Sequence, residues 1–349
     1  MPSLKNLIRT KTNPVFLISR TDSIGDVILT LPMAGVLKSI YPNSTIVFLG
    51  KTYTEPIVAL SSNIDKFINW DSLSSKNSSE QIRLLNQERI DVFINVFPSK
   101  KIARLAKRAN IPIRIATSHR IYNWLYSNRL ISFSRNKSLL HEAQLNIKLI
   151  ECLGAKSNYS IEELNKFIGI RANNITSPGD NLIDKTRFNL ILHPKSKGSA
   201  REWGIDNYNK LISLLPQEDY NIFITGTKQE GDLIREEIVD KYIGRVYDLT
   251  GIFSLEEFIS FIGKADGLIA ASTGPLHIAS ILGINALGLY PPIRPMHPGR
   301  WRPIGEKTKV FVRGGECSKC RNTNSCECML LISPNEIANY LDKIKMDIK

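Results

Sequence analysis

The chain has 349 residues, 42% of them hydrophobic and 23% charged, which excludes a disordered or fibrous polypeptide and fits about two domains of ~150 residues. Lys and Arg number 46 against 33 Asp and Glu, a formal charge of +13; this balance points to an anionic partner such as a nucleotide, a nucleic acid or a phosphorylated membrane surface, and says nothing of fold. No run approaches the ~18–20 apolar residues of a membrane-spanning helix, and the only early apolar run, Val15–Ile18, is too short for a signal-peptide core, so the expectation is a cytoplasmic protein.

In chain order, Val15–Ser19 reads as a strand. The polar loop Arg20–Asp26 follows, then a helix to about Ile40. Thr45–Leu49 is a strand, Glu55–Leu60 a short helix and Lys66–Asn69 a strand. Ser-rich Asp71–Ser79 is a loop, Ser79–Glu88 a helix, Val92–Val96 a strand and Ser99–Asn110 a basic helix. Strands alternating with helices imply a parallel sheet with crossovers. Arg171–Asp180 is polar, carries Pro178-Gly179 and reads as a linker. The pattern then restarts: strands at Asn189–His193, Asn221–Thr225, Gly267–Ala271 and Ala286–Tyr290, helices at Asp206–Leu215, Gly231–Tyr242, Ser254–Gly263 and Gly274–Leu282, and a last helix at Asn335–Ile344. The expected division is a domain over 1–170, a linker over 171–185, a second domain over 186–333 and a terminal helix over 334–349. Two Rossmann-like halves suggest a two-domain α/β protein with a cleft, its ligands at the carboxyl ends of the strands.

Three segments carry chemistry. In Arg20-Thr-Asp-Ser-Ile-Gly-Asp26, directly after a strand, Gly25 lets the backbone approach a ligand and the next helix offers N–H groups to an anion. Asp26 stands where either a base or a helix cap belongs. In Ala271-Ser-Thr-Gly-Pro-Leu-His277, Ser272 or Thr273 can cap the helix, Gly274 gives room and Pro275 suits the first turn. That helix terminus suits a diphosphate, and His277, one turn in, is placed either to donate a hydrogen bond or to sit satisfied in the core. The loop His193–Trp203 carries Lys195, Lys197 and Arg201, cations able to neutralise a leaving phosphate, with Trp203 as an anchor. Thr225-Gly226-Thr227 ends the next strand on the same edge.

With Ser23-Ile-Gly-Asp-Val-Ile-Leu-Thr-Leu-Pro32, the His193–Trp203 loop and Ser272–His277 in this order, the chain resembles glycosyltransferase family 9, the ADP-heptose:lipopolysaccharide heptosyltransferases, over nearly its whole length. The resemblance implies a GT-B fold, with acceptor on the first Rossmann-like domain and nucleotide sugar on the second, and an inverting transfer that needs no metal for its chemistry. It makes Asp26 the catalytic base and puts Arg201 on the donor diphosphate. It puts Thr273, Gly274 and His277 at the phosphate-binding helix terminus and Glu230 at the ribose, with Lys197, Gly226, Thr227 and Ser272 as further donor-binding residues. The chain departs from the best-studied members at Ser272, where they carry Asp, and at Lys228, where they carry an acid, leaving Glu230 displaced.

For the acceptor, Ser23 and Gly25 lie beside the base, and Lys100, Lys101, Arg104 and Arg120 belong to a basic run interleaved with Tyr122, Trp124 and Tyr126. Such a face fits an anionic glycolipid or saccharide at the inner membrane surface, a nucleic acid, or plain solvation; the resemblance favours the glycolipid and argues against nucleic acid. Finally, Cys317, Cys320, Cys326 and Cys328 supply enough thiolates for a structural zinc or iron site. Reduced thiols or a labile disulfide are the alternative.

Overall fold

The apolar runs Val15–Ser19 (β1), Thr45–Gly50 (β2) and Val92–Asn95 (β4) are almost wholly buried, as strands covered by helices on both faces must be. With Lys66–Asn69 (β3), Ile113–Thr117 (β5) and Arg129–Ile131 (β6) they form an all-parallel sheet of order β3-β2-β1-β4-β5-β6. Phe188–His193 (β7), Tyr220–Ile224 (β8), Val246–Asp248 (β9), Gly267–Ala271 (β10), Asn285–Tyr290 (β11) and Thr308–Val312 (β12) form the second, of order β12-β11-β10-β7-β8-β9. The second order repeats the first strand for strand. The computed structural model describes residues 8, 10–135, 138–171, 175–294, 296–314, 317 and 326–346, and the chain divides into two compact units, Met1–Ala172 and Asn173–Lys349.

In a sheet of this order the strand succession reverses between the first and fourth strands, and ligands sit at the carboxyl ends there. In the first unit that point lies between β1 and β4, with Ser19 opposite Asn95. In the second it lies between β7 and β10, with His193 opposite Ala270. The loops leaving β1, β7 and β10 are the three segments that the sequence singles out.

Several local expectations are corrected. The single helix to Ile40 is two, Ile24–Ile28 (α1) and Leu31–Ile40 (α2), because Pro32 has no N–H to give and would crowd the carbonyl of Ile28. Ser-rich Asp71–Ser79 is not all loop: Trp70–Ser74 is helical, capped by Asn69, whose side chain accepts from the Ser72 N–H. The expected helix over Gly231–Tyr242 starts at Lys228 (α7, Lys228–Ile234) and loosens into wider and tighter turns from Arg235. Much of the expected linker packs on the second unit: Lys264 pairs with Asp180, and Asn221 donates to the Leu182 carbonyl at 2.7 Å. The last helix, Pro334–Met346, buries Ile337 and Leu341 in that unit's core beside Leu211 and Ile212 of Ile205–Leu214 (α6).

Candidate active site

In the first unit, Arg20 follows β1 and its side chain is 3% exposed. An arginine so buried must be compensated, and here carboxylates surround it. Its Nε donates to Asp22 at 2.6 Å, one terminal nitrogen binds Asp26, and the other reaches Glu142 at 3.2 Å and the Asn146 amide oxygen at 3.3 Å. Arg135 closes the far side, donating to Glu142 at 3.2 Å, Asn146 at 3.1 Å and the Val96 carbonyl at 3.2 Å. Burial alone would lower the Arg20 pKa, but Asp26, Asp22 and Glu142 raise it above the ordinary arginine range, so it is permanently charged. Burial, reinforced by the Asp26 charge, pushes Asp22 up to about 6 despite Arg20.

Asp26 is not the cap of α1. Ser23 holds the cap position, makes no capping bond with its side chain, and donates its hydroxyl to Asp26 Oδ2 at 2.5 Å. The Asp26 carboxylate is thus oriented by Arg20 on one oxygen and Ser23 on the other. Its side chain is 17% exposed, accessible enough to meet a substrate hydroxyl. Sequence reasoning missed the Glu142–Asn146 side of this cluster. The available signal was the spacing of Glu142 and Asn146, four apart in the helix Glu142–Lys148 (α5), which places both on one face.

In the second unit, Gly274–Ile281 (α8) starts directly after β10. Thr273 holds its cap position, but its hydroxyl turns back to the Ala271 carbonyl at 3.2 Å and makes no capping bond. Among the described residues no side chain caps the Gly274 and Leu276 N–H groups (Pro275 has none), so a ligand can take them, with the positive end of the helix dipole behind. Ser272 is half-buried between β10 and Thr273, and His277 is buried one turn in. The neighbouring helix α7 is closed: Thr227 and Glu230 form a reciprocal capping box, with Glu230 Oε2 accepting from the Thr227 N–H at 2.8 Å. Gly226 and Thr227 stand at the right edge, but this terminus is filled by the chain itself, and Glu230 has a capping task that the sequence reading did not foresee.

The loop after β7 is pinned at its far end. Trp203 is fully buried, donates to the Ile332 carbonyl at 3.0 Å and meets Tyr208 edge-on. Lys195 pairs with Glu202 at 2.6 Å, while Lys197 adopts a left-handed backbone, φ 49°, beside Gly198. Arg201 is half-buried on the same loop. At the strand end, His193 is buried with Nδ1 3.0 Å from the Thr225 hydroxyl. Burial lowers its pKa to about 4, against the pull of Glu230. A histidine depressed from 6.5 contributes stability that is whole above pH 6.5 and lost as the pH falls towards 4. Unfolding free energies from urea titrations between pH 7 and 4 are expected to fall more steeply for the native chain than for His193→Asn, by about 3 kcal/mol over that range. Parallel curves would show that His193 titrates normally.

Lys100, Lys101 and Arg104 are exposed along Lys100–Arg108 (α3), the helix after β4, and Arg120 is exposed at the cap position of Ile121–Tyr126 (α4). Gly25 and Ser23 sit beside Asp26 as expected from the sequence. Of the four clustered cysteines, Cys320 lies outside the described residues. Cys326 is buried in the second core, with Cys317 and Cys328 packed against it, and among the described residues no group of three or more His, Cys, Asp and Glu is placed to hold a metal ion. A cavity of about 570 Å³ opens at the opposite, amino-terminal edge of the second sheet. Its Lys264, Arg187 and Lys345 are each paired with a carboxylate.

The model of glycosyltransferase family 9 (heptosyltransferase) matches residues 80–330. The chain belongs to that family. A Haemophilus influenzae protein named only as a glycosyltransferase is 28% identical over 306 residues, 84% of this chain and 87% of that protein. The lipopolysaccharide core heptosyltransferase OpsX of the same organism is 21% identical over 315 residues, 86% and 85% of the two chains. Among solved structures, Escherichia coli heptosyltransferase WaaC with ADP superposes with a TM-score of 0.71 at 16% identity, covering 94% of this chain and 99% of that one. The fold is accordingly GT-B, and this family 9 chain is a glycosyltransferase. None of its described helices is long and apolar enough to cross a membrane.

Proposed function

We propose that this family 9 glycosyltransferase moves heptose from ADP-heptose to a lipopolysaccharide core or related saccharide, with inversion at the anomeric carbon. The reading is carried by each unit taken by itself: an oriented, accessible carboxylate at the β1 switch point of the first, and a helix terminus without a side-chain cap at the β10 switch point of the second. The ADP named with the WaaC structure and the core acceptor named for OpsX support the choice of donor and acceptor.

In this mechanism Asp26 takes the proton of the acceptor hydroxyl as its oxygen attacks the anomeric carbon from the face opposite the diphosphate. The bond from that carbon to the diphosphate oxygen breaks, and ADP leaves with the electron pair. The developing charge falls on the N–H groups of α8 and on Lys197 and Arg201. The chemistry needs no metal; the Cys317–Cys328 segment is proposed only as a zinc or iron staple of the C-terminal loop, which the burial of Cys326 suits. The acceptor is read as an anionic glycolipid reached at a membrane surface. Ser272 favours a second reading in which another nucleotide sugar is the donor, since the acidic residue of the best-studied members is absent there.

Calorimetry with ADP, UDP, GDP and CDP tests the donor. ADP is expected to bind tightest, and Arg201→Ala to weaken it about tenfold or more, the scale of one lost charge-assisted bond. Preference for another nucleotide would replace the donor, and no binding at all would remove the donor site.

A further inference from the structure

The net charge of the chain is concentrated in one stretch. Residues 92–141 hold ten Lys or Arg and no Asp or Glu. Within that stretch α4 is built inside out. Asn123 is fully buried and donates to the Thr117 carbonyl at 2.8 Å, which fixes the inner face of the helix. Ile121, Trp124 and Leu125, at spacings of three and four, share the outer face and are 86%, 66% and 61% exposed. The Trp124 indole N–H is already satisfied by the Ser118 carbonyl at 3.0 Å, so the ring is held outwards as an apolar surface.

Cations surround this apolar tip. Helix α3 packs against α4, and Lys107 ties them together, its ammonium donating to the Leu125 carbonyl at 2.8 Å and lying 5.9 Å from the Tyr126 ring centroid. Lys100, Lys101, Arg104 and Arg108 are exposed along α3, and Arg120 heads α4. Among the described residues none of these makes an ion pair with a carboxylate.

We infer that α4 is an interfacial wedge that seats the first unit on an anionic phospholipid bilayer, with Ile121, Trp124 and Leu125 entering the headgroup–acyl boundary and the α3 cations resting on the lipid phosphates. Charge complementarity selects the occupant. An apolar face ringed by unpaired Lys and Arg matches a surface that is apolar below and anionic above. Duplex nucleic acid would satisfy the cations but offers nothing to Ile121 and Leu125. An apolar protein groove would satisfy the helix and leave the cations unmatched. The inference deepens the membrane-surface reading of the acceptor, and its test involves no turnover, so the two can fail separately.

The full chain is sedimented with vesicles of phosphatidylcholine alone and of phosphatidylcholine with phosphatidylglycerol. Partitioning onto the anionic vesicles is expected to exceed that onto neutral ones by about tenfold or more and to fall with salt. The triple variant I121S/W124S/L125S is expected to lose about tenfold on the anionic vesicles. The double variant I121S/L125S, which keeps the indole bond to Ser118, controls for local unfolding, and an unchanged far-ultraviolet circular dichroism spectrum establishes folding. Equal binding to both vesicle types, or variants that bind like the native chain, would overturn the inference. Binding to a DNA or RNA duplex that outcompetes the vesicles and survives the triple substitution would reassign the face to nucleic acid.

Discussion

Asp26→Asn is expected to lower the rate of sugar transfer by roughly 10²–10⁴-fold, the usual contribution of a general base, with nucleotide binding unchanged. Asn keeps the size of the side chain, its amide oxygen still accepts from Arg20 and its amide nitrogen can donate to the Ser23 hydroxyl, but it has no basicity with which to take the hydroxyl proton. The fold should survive, because Asp22 and Glu142 continue to compensate the buried guanidinium. A coupled assay of released ADP gives the rate and calorimetry gives the binding. A variant within about threefold of the native rate would remove Asp26 from the chemistry.

The second large effect belongs to Arg20. Arg20→Met removes one cation from Glu142, 1% exposed, and leaves Asp22 and Asp26 without their shared cation. Breaking a buried ion pair from one side costs about 3–5 kcal/mol, so urea unfolding of the first unit should shift by that amount while the second unit is unaffected. Arg20→Lys keeps a charge but not the planar fork that reaches Asp22, Asp26 and Glu142 from different nitrogens. Its kcat is expected to fall on the order of 10–10²-fold through misplacement of Asp26, with donor affinity unchanged. A lysine variant with native kcat would mean that Asp26 does not depend on Arg20 for its position.

The sequence was most legible where strands are central. Val15–Ser19 and Gly267–Ala271 are apolar along their length because helices cover both faces, and the polar loops after them stand out. The edges were harder. Val246–Asp248 has only three residues, and Thr308–Val312 buries only Phe311, so neither shows the continuous apolar run of a central strand. The stretch from Ile111 to Leu140 reads in sequence as a basic run interleaved with aromatics, without elements, although it holds β5, α4 and β6; in α4 the apolar residues point outwards, which defeats a rule that sends them to the core. The Arg20 cluster was invisible for another reason: Glu142 and Asn146 lie 122 and 126 residues away, and a contact at that range leaves no local spacing to read. Glu230 was misleading in the opposite sense, since an acidic residue three after Thr227 is also the signature of a capping box, which is what the chain builds there.

The central claim is transfer of a sugar from a nucleotide, with inversion, through one carboxylate. The measurement that meets it most directly is nuclear magnetic resonance of the product formed from ADP-heptose and a lipopolysaccharide acceptor truncated in its core, with and without the protein. The account predicts one equivalent of ADP released for each new glycosidic bond, and an anomeric configuration opposite to that of the donor. A product of retained configuration, or release of ADP with no bond formed to the acceptor, would contradict it.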